Sequence, residues 1–150
     1  MNIKKLLFYI LITVGIGSVP AIFIKFDNYK NIIKPPLSPP GILFPIVWTI
    51  LFILMGISIY RIVMSNSNDI DDLRILYFVQ LIINALWTPI FFGLNAYLFA
   101  FVWLLILLVL VITMTIKFYN VDRISAYLLI PYIIWLLFAG YLNFGVYLLN

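Results

Sequence analysis

No charged side chain interrupts the stretch from Ile75 to Ile116, ILYFVQLIINALWTPIFFGLNAYLFAFVWLLILLVLVITMTI, which is 42 residues long. A single helix of this length would extend about 63 Å, roughly twice the hydrocarbon thickness of a bilayer. We therefore expect two membrane-spanning helices, folded back on each other as a hairpin. The turn is predicted at residues 93–97 (Gly-Leu-Asn-Ala-Tyr), where the turn-forming residues of the stretch lie.

Three further charge-free stretches, residues 6–24, 35–60 and 124–150, are each long enough for one spanning helix of about 20 residues. Backbone groups in lipid must be hydrogen-bonded within their own segment, so these stretches are expected to be helices. The alternation of polar and apolar residues that is typical of a membrane β-barrel is absent from the sequence. The sequence therefore predicts an all-α membrane protein with a single domain over 1–150 and five transmembrane helices at about 5–24, 44–64, 73–93, 97–118 and 124–148.

A loop rich in proline is predicted between the first two helices, over residues 25–43, and is called the lid loop below. Its second half reads Pro-Pro-Leu-Ser-Pro-Pro-Gly over residues 35–41. Four prolines within six positions are incompatible with a helix and favour a stiff, extended chain. We expect the whole loop to be non-helical and to act as a lid.

The distribution of basic residues predicts the orientation of the chain. Six of the nine Lys and Arg fall on the side of the N-terminus, and three fall in the lid loop. Because cytoplasmic loops carry the excess of basic residues, the N-terminus is predicted to be cytoplasmic and the C-terminus outside. The net charge of +4 follows from this topology, and no basic stripe for nucleic acid is present. The six are Lys4, Lys5, Arg61, Arg74, Lys117 and Arg123, and the three are Lys25, Lys30 and Lys34.

The N-terminal segment has the outline of a signal peptide, with basic residues before an apolar run. The apolar run continues to Ile24, however, and Pro20 lies next to the candidate cleavage site at Ala21. We favour a retained first helix over a cleaved signal. The Ile-, Lys- and Asn-rich composition is typical of an AT-rich bacterium, so the expected location is the plasma membrane of a bacterium.

Several chemistries are excluded by the residues that the chain lacks. It has no His, no Cys and no Glu, and its five Asp residues all lie outside the predicted helices. Zinc, iron–sulfur and ordinary haem sites need His or Cys ligands, and nucleophilic triads need His or Cys. Ion-coupled transport normally uses an ionisable residue within the membrane. We therefore expect no metal, no resident cofactor and no classical enzyme, but recognition by shape, stacking and neutral hydrogen bonds.

Three predicted helices carry aromatic and amide side chains on one face, at i, i+3, i+4 and i+7 spacing. Such stripes are more often packing or interfacial belts than binding sites, and Asn84 is equally compatible with an interhelical hydrogen bond and a ligand contact. A buried amide in hydrocarbon must be hydrogen-bonded, so Asn84 and Asn143 are expected to point into the bundle. The faces comprise Trp48, Leu51, Phe52 and Met55; Asn84, Trp87, Thr88 and Phe91; and Trp135, Phe138, Ala139, Leu142 and Asn143.

Three segments together resemble the TspO/MBR family, the tryptophan-rich sensory proteins whose animal members are translocator proteins or peripheral-type benzodiazepine receptors. The first is residues 34–41 (KPPLSPPG) with the following Val-Trp and Met-Gly pairs at 47–48 and 55–56. The second is residues 84–93 (NALWTPIFFG), and the third is residues 129–135 (LIPYIIW) with the later Leu-Asn pair. The resemblance covers nearly the whole chain, in order.

The resemblance implies a five-helix bundle, often dimeric, with a pocket that the first loop closes. It implies binding of porphyrins such as protoporphyrin IX, as a ligand and not as metal-ligated haem, and of benzodiazepine-type ligands. Some bacterial members are reported to promote light-dependent porphyrin breakdown that requires two pocket tryptophans. The family's pocket residues fall on Tyr29, Pro39, Trp48, Asn84, Trp135 and Ala139, where Trp48 and Trp135 are the two tryptophans. Together with Phe52, Trp87 and Thr88 from the same helix faces, they make nine expected ligand-binding residues.

The chain departs from the family pattern at Leu37, where the family loop usually has Trp between its proline pairs. The basic residue that the cholesterol motif of animal members places after a C-terminal Tyr is also absent, since only Leu, Leu and Asn follow Tyr147. A membrane receptor or sensor that binds tetrapyrroles is the favoured function. The alternatives are a light- and oxygen-dependent porphyrin-degrading enzyme, a transporter of porphyrin or other lipophiles, and a purely structural membrane protein.

Overall fold

The structure, a computed structural model, describes residues 1–23 and 26–150. A 3₁₀ turn lies at Val19–Phe23 and a wide π-helical turn at Pro89–Gly93. In the described part of the chain, five spans are long and apolar enough to cross a membrane, and they confirm the predicted five-helix fold: Ile3–Ile22, Leu43–Val63, Ile70–Gly93, Tyr97–Tyr119 and Arg123–Leu149. Seven α-helices lie within the described residues: α1 (Ile3–Ser18), α2 (Phe26–Asn31), α3 (Leu43–Val63), α4 (Ile70–Thr88), α5 (Tyr97–Tyr119), α6 (Arg123–Leu128) and α7 (Ile130–Leu149).

Proline sets the ends of several helices, because it lacks the N–H that continues the hydrogen-bond ladder. Helix α1 gives way to a 3₁₀ turn at Pro20, and the predicted end of the first helix at Ile24 lies outside the described residues. Helix α3 accommodates Pro45 in its first turn, where no N–H is needed. Helix α4 ends before Pro89, and the hairpin turn that follows has Asn95 at a φ of 50°, so the predicted turn is confirmed.

Two details of the prediction are wrong. The lid loop is not wholly non-helical, because it contains the short helix α2 at Phe26–Asn31. Its prolines begin only at Pro35, so they leave the first half of the loop free to coil. The fifth span is not one continuous helix: α6 and α7 are separated at Leu129, because Pro131 has no N–H to bond the carbonyl of Tyr127 four residues earlier.

Helices α1 and α3 are in backbone contact at Gly56. A Cβ atom added at this glycine would lie 2.6 Å from Cα of Ile10, so only glycine permits the approach. Tyr77 and Met55 are fully buried beside this contact in the main hydrophobic core. The cavity described below lies farther along the bundle, next to the lid loop.

An ion pair fixes the end of the bundle that is remote from the lid loop. Arg61 Nε of α3 donates to Asp122 Oδ2 at 2.6 Å, and the same carboxylate accepts from the N–H of Ser125 at 3.2 Å, capping α6. The hydroxyl of Ser58 donates to the carbonyl of Ser125 at 2.8 Å. The Arg61 guanidinium and the Ser125 bonds hold the pKa of the Asp122 carboxyl below its usual value. This cluster joins α3 to the turn between α5 and α6.

Candidate functional site

A cavity of about 260 Å³ lies between the lid loop and the adjacent ends of the long helices. Its walls are mostly aromatic and aliphatic, and a few polar groups face it from α3, α4, α7 and the lid loop. The lining residues are Gly17, Ser18, Ala21, Tyr29, Lys34, Ser38, Gly41, Phe44, Pro45, Trp48, Thr49, Phe52, Asn84, Trp87, Thr88, Phe91, Phe92, Leu104, Leu107, Trp135, Ala139, Leu142, Asn143 and Val146.

The two tryptophans that the resemblance singled out meet in this cavity. Trp48 of α3 and Trp135 of α7 are perpendicular, with ring centroids 6.4 Å apart. Trp48 stacks on Phe52 one turn later, at 5.4 Å and 26°. Phe44 covers the other side of Trp135 at 5.9 Å. The i, i+4 spacing of the aromatic residues on α3 therefore produces a continuous aromatic wall.

The indole nitrogen of Trp135 is buried, and it has no hydrogen-bond acceptor among the described residues. Trp135 is held by ring packing alone, against Trp48, Phe44 and Phe138. By contrast, Trp103 of α5, which does not line the cavity, donates its N–H to the carbonyl of Ile83 at 2.7 Å. An unpaired indole N–H beside a cavity is a group that a ligand can satisfy after a small rotation of the ring.

Asn84 makes an interhelical hydrogen bond and also lines the cavity, and its ligand contact stays a prediction. Its Nδ2 donates to the Tyr132 hydroxyl at 2.6 Å, which joins α4 to α7, and the residue also lines the cavity. The Tyr132 hydroxyl in turn donates to Gln80 Oε1 at 2.9 Å, and both of these side chains are fully buried. Tyr132 and Gln80, which do not line the cavity, thus fix the orientation of the Asn84 amide. Sequence analysis missed this arrangement, although a lone Gln in a charge-free stretch, one turn before Asn84, was a signal for it.

Asn143 links three helices. Its Oδ1 accepts from the indole N–H of Trp87 at 2.9 Å, and its Nδ2 donates to the carbonyl of Tyr97 at 2.8 Å. The expectation that Asn143 points into the bundle is confirmed. Trp87 also stacks on Phe91 at 4.9 Å, so one amide fixes the orientation of a second aromatic pair on the cavity wall.

The lid loop closes the cavity through a contact between Tyr29 and Pro39. The Tyr29 hydroxyl donates to the Pro39 carbonyl at 2.7 Å, and the Tyr29 ring lies edge-on to Phe44 at 5.2 Å. Burial raises the pKa of the Tyr29 hydroxyl. Lys34 Nζ lies 4.5 Å above the centre of the Tyr29 ring, in cation–π geometry. Among the described residues that line the cavity, Lys34 is the one with a charged side chain. Lys25 lies outside the described residues.

Leu37, where the family pattern has Trp, points away from the cavity and is 82% exposed. Its φ of 69° is in the left-handed region, which is strained for a branched side chain and suits the third position of a tight turn. The Ser38 hydroxyl donates to the Pro35 carbonyl at 2.7 Å across this turn. The departure from the family pattern therefore changes the outer surface of the lid loop and not the cavity wall.

The cavity brings together eight of the nine predicted ligand-binding residues. Pro39 is the exception, since it contributes the carbonyl that holds Tyr29 and no part of the wall. Leu104 and Leu107 of α5 line the cavity but were not predicted, because a Leu in an apolar run carries no signal that separates it from its neighbours. The eight residues are Tyr29, Trp48, Phe52, Asn84, Trp87, Thr88, Trp135 and Ala139.

Comparison with known proteins agrees with the resemblance. Residues 8–149 match the TspO/MBR family. The chain is 36% identical to "Protein CrtK" of Rhodobacter capsulatus, over all of this chain and 95% of that protein. It is 39% identical to "Tryptophan-rich protein TspO" of Archaeoglobus fulgidus, over all of this chain and 99% of that protein. It is 32% identical to "Translocator protein" of Bos taurus, over 81% of this chain and 74% of that protein.

Proposed function

The chain belongs to the TspO/MBR family, and from this premise we propose that it is a membrane receptor or sensor for porphyrins. Its cavity binds a protoporphyrin IX-type tetrapyrrole, and benzodiazepine-type ligands compete for the same space. The observation that carries the proposal is the wall formed by Trp48, Trp135 and Phe52 with Asn84 beside it. A flat apolar macrocycle gains stacking and apolar burial on such a wall, while one amide orients its polar edge.

Charge at the lid loop supports a ligand that carries carboxylates. Lys34 lines the cavity at the level of Tyr29, where the propionates of a porphyrin would emerge beside it. An ammonium that already lies over an aromatic ring is partly desolvated and attracts a carboxylate more strongly than a fully hydrated one. In the proposed orientation (N-terminus cytoplasmic), Lys34 and the lid loop are at the outer face of the plasma membrane.

The cavity volume predicts that binding changes the protein. Sites for small molecules are typically about 300–1,000 Å³, and this cavity is about 260 Å³. A porphyrin is therefore expected to fit when side chains of the aromatic wall move outward. A change in the packing of the aromatic wall on binding is the kind of response that a sensor needs. The proposed homodimer of the receptor rests on the family resemblance alone.

The contact between Trp48 and Trp135 favours a second function, the light- and oxygen-dependent degradation of porphyrin. Two indoles in contact can share the electron hole left when a photoexcited porphyrin takes an electron from one of them. The reduced porphyrin passes this electron to O₂, the superoxide adds to the macrocycle, and the adduct returns an electron to the indole pair, so that porphyrin and O₂ are consumed and the tryptophans are restored. A transporter is less well supported. Ion-coupled transport normally needs an ionisable side chain within the membrane, whereas Lys34, the charged residue on the described cavity wall, belongs to the lid loop.

Titration of the purified protein with protoporphyrin IX tests the proposal. The expected result is saturable quenching of tryptophan fluorescence at one porphyrin per chain, reversed by a benzodiazepine-type competitor. Quenching that rises linearly without saturation would contradict a defined site. Illumination of the complex with and without O₂ then separates the two functions: a receptor leaves the Soret band intact, whereas the degrading enzyme bleaches it only with light and O₂.

A further inference from the structure

The cavity is open on one side between α1 and α3. Most lining residues are buried or half-buried, but Ala21, Pro45 and Thr49 are exposed to the outside and line the cavity at the same time. All three flank the gap between the end of the first span and the beginning of the second. The gap, bordered by residues 17–21 and 45–49, is called the lateral portal below.

The lateral portal lies at the depth of the hydrocarbon. Thr49 is six residues from the beginning of α3 at Leu43, which places it about 9 Å into the span. Its neighbours on the outer surface are large apolar side chains that are at least half exposed, as expected for residues in contact with lipid. These neighbours are Val19 at 51%, Ile22 at 78%, Ile46 at 51% and Ile50 at 53%.

Close packing of α1 against α3 bounds the lateral portal on the side away from the lid loop. At Gly56 the backbones of α1 and α3 touch, as described above. Nearer the lid loop the two helices separate, and the ring of Phe52 occupies the space between them: a Cβ atom added at Gly17 would lie 2.3 Å from this ring. Phe52 thus forms the floor of the portal, and Trp48, which stacks on it, lies directly inside.

The lid loop, in contrast, is fastened to α7. The Tyr141 hydroxyl donates to the Pro36 carbonyl at 2.6 Å. Asn150 bonds both backbone groups of Ile33, accepting from its N–H at 3.3 Å and donating to its carbonyl at 2.8 Å. Pro35 is buried against Gly145, where an added Cβ would lie 2.6 Å from the proline ring. A ligand that passed under the lid loop would have to break these contacts, whereas no hydrogen bond among the described residues crosses the lateral portal.

We propose that the cavity exchanges its ligand directly with the bilayer, through the lateral portal between α1 and α3. The ligand class is an apolar molecule dissolved in the membrane, with its polar end at headgroup level near Lys34. The lid loop remains fastened during this exchange. The identity of the natural ligand rests on the proposed function. The route through the lateral portal does not, and a second probe tests it separately.

The first experiment narrows the lateral portal. Thr49→Phe places a ring in the gap, and Ile50→Phe is the matched control, since Ile50 faces lipid on the same turn and does not line the cavity. In lipid vesicles, Thr49→Phe is expected to slow both association and dissociation of protoporphyrin IX at least tenfold, with Kd changed less than threefold. Ile50→Phe is expected to leave both rates unchanged. Equal rates in Thr49→Phe and the parent protein would overturn the proposal.

The second experiment locks the lid loop. The chain has no native cysteine, and the close approach of residues 35 and 145 suits a disulfide after a slight outward shift. In the Pro35→Cys/Gly145→Cys protein, association of protoporphyrin IX is expected at the same rate before and after reduction with dithiothreitol. Association that is blocked in the oxidised protein and restored by reduction would show that the ligand passes the lid loop, and would overturn the proposal.

The third experiment separates failure of the lateral portal from failure of the porphyrin function. Bromobenzene dissolves in bilayers and quenches indole fluorescence on contact, and it has no part in the proposed function. Thr49→Phe is expected to slow its quenching, while Ile50→Phe and the oxidised lid-locked protein quench as the parent does. If protoporphyrin IX does not bind but these differences appear, the function is wrong and the portal stands. If bromobenzene quenches all variants alike, the portal is wrong.

Discussion

Trp48 and Trp135 come from helices that are far apart in the chain, and their rings meet edge to face at 6.4 Å with planes at 89°. The edge-to-face arrangement is the preferred geometry of an aromatic pair, so the contact stabilises the bundle as well as shaping the cavity. The two rings differ, however, in their remaining contacts. Trp48 stacks on Phe52, whereas Trp135 has an unpaired indole nitrogen.

Replacement of Trp135 separates ligand binding from redox chemistry. Trp135→Phe keeps most of the apolar area and the ring contacts, and no hydrogen bond of the described protein is lost. We expect the affinity for protoporphyrin IX to stay within about tenfold, or ~1.4 kcal/mol. Photodegradation, if it occurs, is expected to slow strongly, because Phe is not easily oxidised. Trp103→Phe is the control, and equal bleaching in Trp135→Phe and the parent protein would remove the redox role.

Asn84 is expected to affect both stability and binding, since it bonds Tyr132 and lines the cavity. Asn84→Ala should lower the stability of the ligand-free protein by about 0.6 kcal/mol, as for a typical hydrogen bond within a membrane protein. It should also weaken protoporphyrin IX binding by about 0.5–1.5 kcal/mol. Tyr132→Phe removes the same interhelical bond and the bond to Gln80 as well, both from outside the cavity, and should change stability more than affinity. Melting temperatures and protoporphyrin IX affinities of both variants separate the effect on stability from the effect on binding. Unchanged affinity in Asn84→Ala would exclude a ligand contact.

The Asp122 carboxylate should make stability depend on pH. Because its pKa is lowered in the folded protein, its contribution is present above the usual Asp pKa of about 3.9 and is lost as the pH falls through the lowered value. Asp122→Ala removes the cap of α6 and should cost about 1 kcal/mol at pH 7, with little added by the partly exposed Arg61 pair. The measurement compares the unfolding free energies of Asp122→Ala and the parent protein at pH 7 and near pH 3. Asp71→Ala is the control, because the Asp71 side chain is 92% exposed. A deficit of the same size at both pH values would contradict the assignment.

The predicted topology can be read by cysteine labelling, since the chain has no native cysteine. Ser67→Cys lies in the loop between α3 and α4, and Leu37→Cys lies on the exposed turn of the lid loop. A membrane-impermeant maleimide added to intact cells is expected to label Leu37→Cys and to spare Ser67→Cys until the cells are opened. The reverse pattern would invert the topology.

Much of this fold follows from the sequence, because long charge-free runs leave a membrane chain little choice but helices. The cavity faces also follow, since i, i+4 spacing brings Trp48 and Phe52, or Asn84 and Thr88, to one side of a helix. Other features depend on contacts between distant segments. Helix α2, the Tyr29–Pro39 bond and the arrangement of Gln80 behind Tyr132 form only when the bundle is assembled. No local pattern in a single sequence specifies them.

The central claim is that the cavity beside Trp48 and Trp135 is the site where a porphyrin binds. Ala139 lines this cavity from α7, and Ala139→Trp fills much of its 260 Å³ with a ring. Leu137→Trp is the matched control, because Leu137 is 57% exposed on the same helix and does not line the cavity. Fluorescence titration with protoporphyrin IX is expected to give at least a hundredfold weaker binding for Ala139→Trp, and parent-like binding for Leu137→Trp, at equal helix content. Parent-like affinity in a folded Ala139→Trp protein would contradict the claim.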